Sequence, residues 1–342
     1  MALHALGAID DALKATRKYR PRGLGQWLWV ALVALFVGSP GLSLPSGGGG
    51  GGTAQQPGGG EMPQQFDGGA VPEVGTELLL GVAVAIAVVW LFFAVVGALL
   101  EFPFLRWLRD GEASVGTAVA DHGRQALGLA VFRVVVGAVG FVPLLAVVLW
   151  QVGTSGTLFE YIEALSGVAF LVGLVSFPVS VVAGFTTAFV VPTMMLENVG
   201  VVGGWRRFWG TLTGAPKQFA VYAVAVLVLG YVGGIVIVIA ALLALILGLL
   251  VGGILGLVAA TAGSTMAGVV VAAAVGGLAV TVAVLVTYAL FQIYLRYYAL
   301  LVLGDVDDGL DYIPGRRREV RGGPEERADP TDPAGDDPQF SS

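Results

Sequence analysis

The stretch Phe219–Val251, with the sequence FAVYAVAVLVLGYVGGIVIVIAALLALILGLLV, decides the fold of this chain. It contains no charged residue, and it is longer than the roughly 20 helical residues that cross the hydrocarbon core of a bilayer. A helix is suited to that core because it pairs its own backbone groups where no water is present. The stretch therefore predicts a membrane-spanning helix.

Further apolar runs lie on either side of this stretch. The first of them is the weakest, because Ser39, Pro40 and Gly41 interrupt it, and a signal peptide is the open alternative there. We predict an all-α fold, a polytopic integral membrane helix bundle with six transmembrane helices. The predicted spans are residues 27–44, 76–100, 126–150, 165–191, 219–251 and 267–298.

The 18 basic residues all fall on one side of such a bundle. They occur in the N-terminal segment, the second and fourth connections and the C-terminal tail, or near the ends of spans that face those parts. Connections near spans are enriched in Lys and Arg on the cytoplasmic side. We therefore expect a multi-pass protein of the cell membrane with cytoplasmic N- and C-termini.

The composition excludes several classes of function. Hydrophobic residues make up 56% of the chain and charged residues 12%, which is about half the charged share of a soluble domain. With no cysteine and two distant histidines, the chain cannot form disulfides, thiolate metal sites or a cysteine nucleophile. We expect no enzyme activity, no cofactor, no metal and no nucleic-acid partner.

Composition also divides the chain into three parts. Residues 1–26 form a cytoplasmic amphipathic segment, and residues 27–303 form the membrane domain. A Gly-rich outer loop at 45–75 lacks the Gly-Lys-Ser/Thr of a phosphate loop, so we expect it to be flexible. Residues 304–342 hold eleven acids and five arginines, and thus the whole net charge of −6. We expect this tail to be acidic and largely disordered in the cytoplasm.

The cytoplasmic connections resemble one another. Amphipathic stretches at 9–19, 112–122 and 201–213 each precede a polar anchor and an odd-numbered span. This pattern predicts three tandem units, each with a connector, an outward span, a loop and an inward span. The connectors are expected to be interfacial amphipathic helices.

The third connector has the clearest amphipathic pattern. Its Trp205 and Trp209 share one helix face with Phe208, and Arg206 and Arg207 flank that face. Aromatic and arginine side chains favour the headgroup region of anionic lipids, so the helix can lie in the cytoplasmic interface. Packing of the same face against the bundle is the open alternative.

Ionisable side chains within spans are candidate sites because lipid makes them costly. Arg133 is expected to reach phosphate or to pair with Glu101 or Glu197. Those two glutamates end even-numbered spans at equivalent repeat positions. Arg296 lies among the tyrosines of residues 288–298 and is interpreted as an interfacial anchor. None of these groups lies in a pattern that indicates catalysis.

Prolines and glycines within the spans carry further information. Pro143, Pro178 and Pro192 each free a backbone carbonyl, which neighbouring protein must satisfy in lipid. Glycines 248, 252 and 256 recur every four residues and favour close helix packing. A re-entrant segment over residues 248–268 is the open alternative.

Several short motifs resemble an uncharacterised family of haloarchaeal polytopic membrane proteins over about residues 1–320. They are Asp10-Asp11-Ala12-Leu13, Glu101-Phe102, Gly204-Trp205-Arg206-Arg207-Phe208-Trp209, Arg296-Tyr297-Tyr298-Ala299-Leu300 and Leu303-Gly304-Asp305. The chain is also distantly similar to the membrane region of some glycerophosphodiester phosphodiesterases, without their catalytic domain. The resemblance implies no activity.

These observations lead to two expectations of function. The first is a non-enzymatic membrane scaffold, or a membrane subunit of a larger complex, with the bilayer, other proteins or further copies of itself as partners. The alternative is a transporter or channel for a small solute, with a path between the helix repeats.

Overall fold

In a computed structural model, the protein is described over residues 4–37, 76–111, 115–153 and 169–322, together with Glu160, Ala164 and Gly167. These residues form helices and short connections, and no strand occurs among them. The predicted all-α class is therefore confirmed for the part of the chain that the structure describes.

Long helices alternate with short helical pieces along the chain. In order they are α1 (His4–Lys18), α2 (Leu24–Phe36), α3 (Thr76–Asp110), α4 (Val115–Val152), α5 (Ala169–Phe185), a π-helix (Thr186–Val190), α6 (Val191–Glu197), α7 (Val201–Gly214), α8 (Pro216–Ala262), α9 (Thr265–Val306), a 3-10 helix (Asp308–Leu310) and α10 (Pro314–Arg321). The longest are α8, with 47 residues, and α9, with 42.

Among the residues that the structure describes, five helical segments are long and apolar enough to cross a membrane, judged by length and composition. They are Ala87–Asp110, Ala120–Gly140, Gly173–Glu197, Pro216–Ala262 and Thr265–Val306. The first predicted span differs, because α2 has 13 residues and ends at Phe36, before the Ser39-Pro40-Gly41 interruption. Such a helix is about 20 Å long and is shorter than the hydrocarbon core.

Two of the three predicted connectors are separate helices. The first, 9–19, lies largely within α1, and the third, 201–213, coincides with α7. The second, 112–122, differs, because α4 begins at Val115 and continues without a break into the third predicted span. Residues 112–114 lie outside the described part of the chain.

The helices α8 and α9 form a hairpin that turns at residues 263–264. Gly248, Gly252 and Gly256 of α8 lie against small residues of α9. A Cβ added to Gly256 would lie 2.5 Å from the carbonyl oxygen of Gly268. The glycines therefore form a helix-packing surface, and within the re-entrant range 248–268 the chain reverses only after α8 ends at Ala262.

Burial is uneven along the bundle. One end, which we call the basic end, contains α1, α6, α7 and α10, the carboxyl ends of α3 and α9 and the amino ends of α4 and α8. Phe102, Phe208 and Tyr297 are fully buried there. The opposite part, which we call the apolar half, exposes large side chains such as Leu247 and Leu278. A surface of this kind is stable against hydrocarbon and not against water.

The N-terminal helix and the residues after α9 pack together at the basic end. Arg321 of α10 bonds to Asp11 at 2.8 Å and to Asp305 at 2.7 Å. Glu319 accepts a hydrogen bond from the Tyr19 hydroxyl at 2.5 Å. The three buried apolar side chains between α9 and α10 are Leu310, Tyr312 and Ile313.

This packing corrects the predicted start of the tail. Residues 304–322 form the end of α9, the 3-10 helix and α10, since their buried apolar side chains and ion pairs hold them to the bundle. The remainder of the predicted tail, residues 323–342, and the predicted outer loop, residues 45–75, lie outside the described residues.

Candidate functional site

Three charged side chains from three helices meet inside the bundle. Glu101 of α3 is fully buried and accepts a hydrogen bond from Arg133 of α4, with 2.6 Å between Oε2 and Nη2. Its other oxygen, Oε1, contacts Nη2 of Arg296 on α9, whose side chain is 1% exposed. Glu101 thus bridges two arginines, and we call Glu101, Arg133 and Arg296 the buried cluster.

A π-helix brings a fourth segment to the buried cluster. In this segment the N–H of Val191 donates to the carbonyl of Thr186, five residues earlier instead of four. The next N–H in this pattern would belong to Pro192, which has none. The carbonyl of Thr187 therefore lacks a partner in its own helix, and Arg296 supplies one, with 2.6 Å between Nη1 and that oxygen.

Arg133 connects the buried cluster to two further elements. Its Nη2 lies 3.3 Å from the hydroxyl oxygen of Thr187. Its Nη1 lies 3.4 Å from the place that a Cβ on Gly97 would occupy, and the carbonyl oxygen of Phe36 would collide with that Cβ. Since Phe36 ends α2, the negative end of that helix dipole faces the surplus positive charge of the buried cluster.

The connector helix α7 is attached to the same π-helix. Trp205 donates its indole N–H to the Thr186 hydroxyl across 3.1 Å. Gly204 allows the close approach, because a Cβ there would lie 3.2 Å from a backbone oxygen of the π-helix. Phe208 is fully buried and stacks on Phe189, with ring centroids 5.1 Å apart. One part of the predicted aromatic face therefore packs against the bundle.

The other part of α7 stays on the surface. Trp209 is 58% exposed, and Arg206 is exposed and has no ion pair within the described chain. The two alternatives for this helix thus apply to different residues: Trp205 and Phe208 pack against the bundle, while Arg206 and Trp209 face outward.

A second charge network lies at the basic end. Arg207 bonds to Glu197 at 2.9 Å and to Asp307 at 3.0 Å. Burial alone would raise the pKa of Asp307, but the hydrogen bond from Thr211 and the pair with Arg207 together hold this pKa below its ordinary value. The network ties α6, α7 and the end of α9 together.

Two interpretations of the candidate residues differ from the structure. Glu101 is buried within α3, which continues to Asp110, whereas Glu197 ends α6 with its side chain 37% exposed. The two glutamates therefore have different surroundings. Arg296 is not an interfacial anchor, because Glu101 and the π-helix enclose its guanidinium away from any headgroup.

Sequence reasoning missed Gly97, and it did not place Thr187 beside the two arginines. Pro192 was the available signal for Thr187, because a proline in a span leaves a carbonyl that another group must satisfy. No sequence pattern distinguishes Gly97 from the other glycines of the spans, since its role depends on the position of Phe36 in a different helix.

Polar side chains continue along α9 beyond Arg296. Gln292, 2% exposed, donates to the hydroxyl of Tyr288 at 2.6 Å. On another face of α9, Tyr298 stacks on Tyr222 of α8, with ring centroids 5.2 Å apart. Arg296, Gln292 and Tyr288, spaced four residues apart on one face of α9, form a short polar column inside an apolar bundle.

The arrangement defines a class of protein. The buried cluster offers charge pairing and backbone hydrogen bonding, and the described residues hold no group of three His, Cys, Asp or Glu that could bind a metal. Long apolar helices joined in this way define an all-helical protein suited to being embedded in a membrane.

The chain belongs to a family of unknown function (DUF7544), whose sequence profile matches residues 3–313. The expectation of an uncharacterised family is thereby confirmed. No curated protein and no solved structure matches the chain.

Proposed function

We propose that the protein is a non-enzymatic scaffold of the cell membrane, or the membrane subunit of a larger complex. The buried cluster carries this proposal, because its charges bond to one another and to a backbone carbonyl and so fasten α3, α4, α9 and the π-helix. A transporter that alternates between two states must separate helices around its site. Separating these helices would leave buried charges unpaired at a cost of several kcal/mol.

The proposal includes six crossings in three tandem units, with the basic end and both termini in the cytoplasm. The course of α2 supports the first crossing. Its Trp29 lies near Trp107, with ring centroids 6.0 Å apart, and its Phe36 lies near Phe93, with centroids 4.9 Å apart. This order makes α2 antiparallel to α3, so α2 leads from the basic end into the apolar half.

Single cysteines test this orientation, because the native chain has none. A membrane-impermeant maleimide on intact cells is expected to label Ser264→Cys, at the turn of the α8–α9 hairpin. It is expected to label Arg318→Cys, on α10, only after the membrane is permeabilised. Labelling of Arg318→Cys on intact cells would overturn the proposed orientation.

A transporter or channel for a small solute is the second candidate, and the polar column at Tyr288 and Gln292 favours it. Flux of ions and neutral solutes into proteoliposomes separates the two. If the protein is a scaffold, vesicles that contain it should show the same solute flux as protein-free vesicles. A selective flux that is lost in Arg133→Gln and retained in Arg106→Gln, at the surface, would overturn the scaffold proposal.

We also propose a haloarchaeal source, with a distant relation to the membrane region of glycerophosphodiester phosphodiesterases. Three lysines against fifteen arginines, and acids concentrated after residue 304, support the source. Carboxylates retain water at high salt, so an acidic tail keeps its surroundings hydrated. In this proposal the acidic tail binds protein partners in the cytoplasm.

A further inference from the structure

Among the described residues of the basic end, cations outnumber carboxylates. Within the described residues, each carboxylate of this end has a salt-bridge partner. Six exposed cations form no ion pair and donate no side-chain hydrogen bond to a described residue. They are Arg17, Arg20, Arg22, Arg124, Arg206 and Lys217. Within the described part of the chain, a surplus of positive charge therefore faces outward.

One of these cations begins a long outward-facing stripe on α4. Arg124 is followed, at spacings of three or four residues, by apolar side chains that are each between 54% and 63% exposed: Leu127, Val131, Val135, Val139 and Val142. Residues at this spacing share one helix face. The stripe thus starts with a cation at the basic end and continues with apolar side chains along the apolar half.

The same order recurs on α2. The exposed Arg22 precedes this helix. The outward stripe that follows is between 49% and 83% exposed and consists of Leu24, Leu28, Leu32 and Leu35.

The order of a cation followed by exposed apolar side chains also occurs on α8. The exposed Lys217 lies in the first turn of this helix. The stripe beyond it is between 45% and 75% exposed and contains Val224, Val228, Tyr231 and Ile235. Three helices thus present a cation at the basic end and several turns of exposed apolar side chains beyond it.

An anionic phospholipid has the complementary order. Its negatively charged headgroup lies at the interface, where it can pair with a cation, and its acyl chains lie in the hydrocarbon, where they can cover an apolar stripe. We propose that Arg22, Arg124 and Lys217 each begin a binding site for an anionic phospholipid. This inference rests on the proposed membrane scaffold and names its lipid partner.

An acidic cytoplasmic protein is the other partner that surplus cations could attract. Such a protein would need one continuous basic patch without an apolar continuation. The three cations instead lie on, or just before, three different helices, and each is followed by a stripe that only hydrocarbon can solvate. On α7, Arg206 beside the exposed Trp209 shows the pairing of residues that membrane interfaces favour.

Lipid selection by the full chain tests the proposal. The protein is reconstituted with equal amounts of phosphatidylglycerol and phosphatidylcholine, extracted gently, and its retained lipids are counted by native mass spectrometry. Phosphatidylcholine carries the same phosphate with no net charge, so the comparison isolates the anionic headgroup. A cation at an anionic surface favours binding by about fivefold, and we expect this enrichment of phosphatidylglycerol at each site.

Matched variants identify the cations responsible. The test variant combines Arg22→Gln, Arg124→Gln and Lys217→Gln, and enrichment should fall to the proportion in the vesicles. The control combines Lys14→Gln, Arg106→Gln and Arg109→Gln, which removes the same charge from the same end at cations that already have carboxylate partners. The control should keep its enrichment.

Three outcomes would overturn the proposal: equal retention of both lipids by the native chain, unchanged enrichment in the test variant, or equal loss in the control. Polyglutamate added to the solubilised chain examines the acidic-protein alternative. The proposal would also be overturned if the native chain binds polyglutamate but shows no lipid enrichment, and if the test variant loses the binding of polyglutamate. Solute flux, which tests the scaffold, is a separate measurement, so the two proposals fail independently.

Discussion

Arg296 and Thr187 lie 109 residues apart in the sequence and are joined by one hydrogen bond of 2.6 Å, from a guanidinium nitrogen to a backbone carbonyl. The bond is available because the π-helix and Pro192 together deprive that carbonyl of a partner in its own helix. Inside an apolar bundle no water can replace it. The irregular helix and the buried arginine therefore depend on each other.

Glu101→Gln tests the buried cluster. The substitution leaves two enclosed guanidinium groups without a carboxylate, and we expect a loss of about 3–5 kcal/mol in the free energy of unfolding. A fall in Tm of the detergent-solubilised chain measures this loss. Glu197→Gln is the control, since its exposed pair contributes less than about 1 kcal/mol. Equal Tm values for the two variants would contradict the role of the buried cluster.

Gly97→Ala tests the contact between α2 and α3. A methyl group there would collide with the carbonyl oxygen of Phe36, so α2 has to move. We expect destabilisation of about 1–3 kcal/mol, measured as a lower Tm. Gly128→Ala, on α4, is the control, because nothing lies within 4 Å of its added Cβ. Equal Tm values for Gly97→Ala and Gly128→Ala would contradict the close contact between α2 and α3.

Neighbouring glycines in α8 provide a matched pair for the hairpin. A Cβ on Gly252 would lie 2.8 Å from the carbonyl oxygen of Ala272, whereas nothing lies within 4 Å of one on Gly253. We expect Gly252→Leu to separate α8 from α9 and to lower Tm, and Gly253→Leu to leave Tm nearly unchanged. Protease resistance of the hairpin gives a second readout. A larger fall in Tm for Gly253→Leu than for Gly252→Leu would exclude this packing surface.

Acid is expected to loosen the attachment of α7 to α9 through Asp307. Its pKa in the folded chain lies below the ordinary value of 3.8, so the ionised carboxylate stabilises the fold above that value. This contribution is lost as the pH falls through the lowered pKa. Native Tm should exceed that of Asp307→Asn at neutral pH, and the difference should shrink as the pH falls below 3.8. A constant difference would show that Asp307 does not titrate in this way.

Much of the fold was predictable because apolar run length is a local property. The runs around Phe219–Val251 predicted the long helices, and the short α2 ends just before the residues that weakened the first run. The amphipathic stretch at 201–213 likewise predicted α7. The boundary at residue 304 was not predictable from charge, because ion pairs such as that of Arg321 with Asp11 join distant parts of the chain.

The candidate site was predictable only in part. Glu101 was one of two partners considered for Arg133, and these two side chains are in contact. The position of Arg296 was not predictable, because neighbouring tyrosines are typical of an interface and its actual partners are more than one hundred residues away. The π-helix has a carbonyl that accepts its hydrogen bond from another helix, and no local sequence pattern indicates such a contact.

The length of α8 has a consequence for the surrounding bilayer. With 47 residues it extends about 70 Å, more than twice the hydrocarbon thickness of about 30 Å. Tilt alone would have to exceed about 60°, beyond the usual range for spanning helices. The excess length therefore requires bending, extension of α8 beyond the hydrocarbon core or local thickening of the bilayer, in addition to tilt. We therefore expect the stability of the chain in a membrane to depend on bilayer thickness, with thicker bilayers favouring the folded chain.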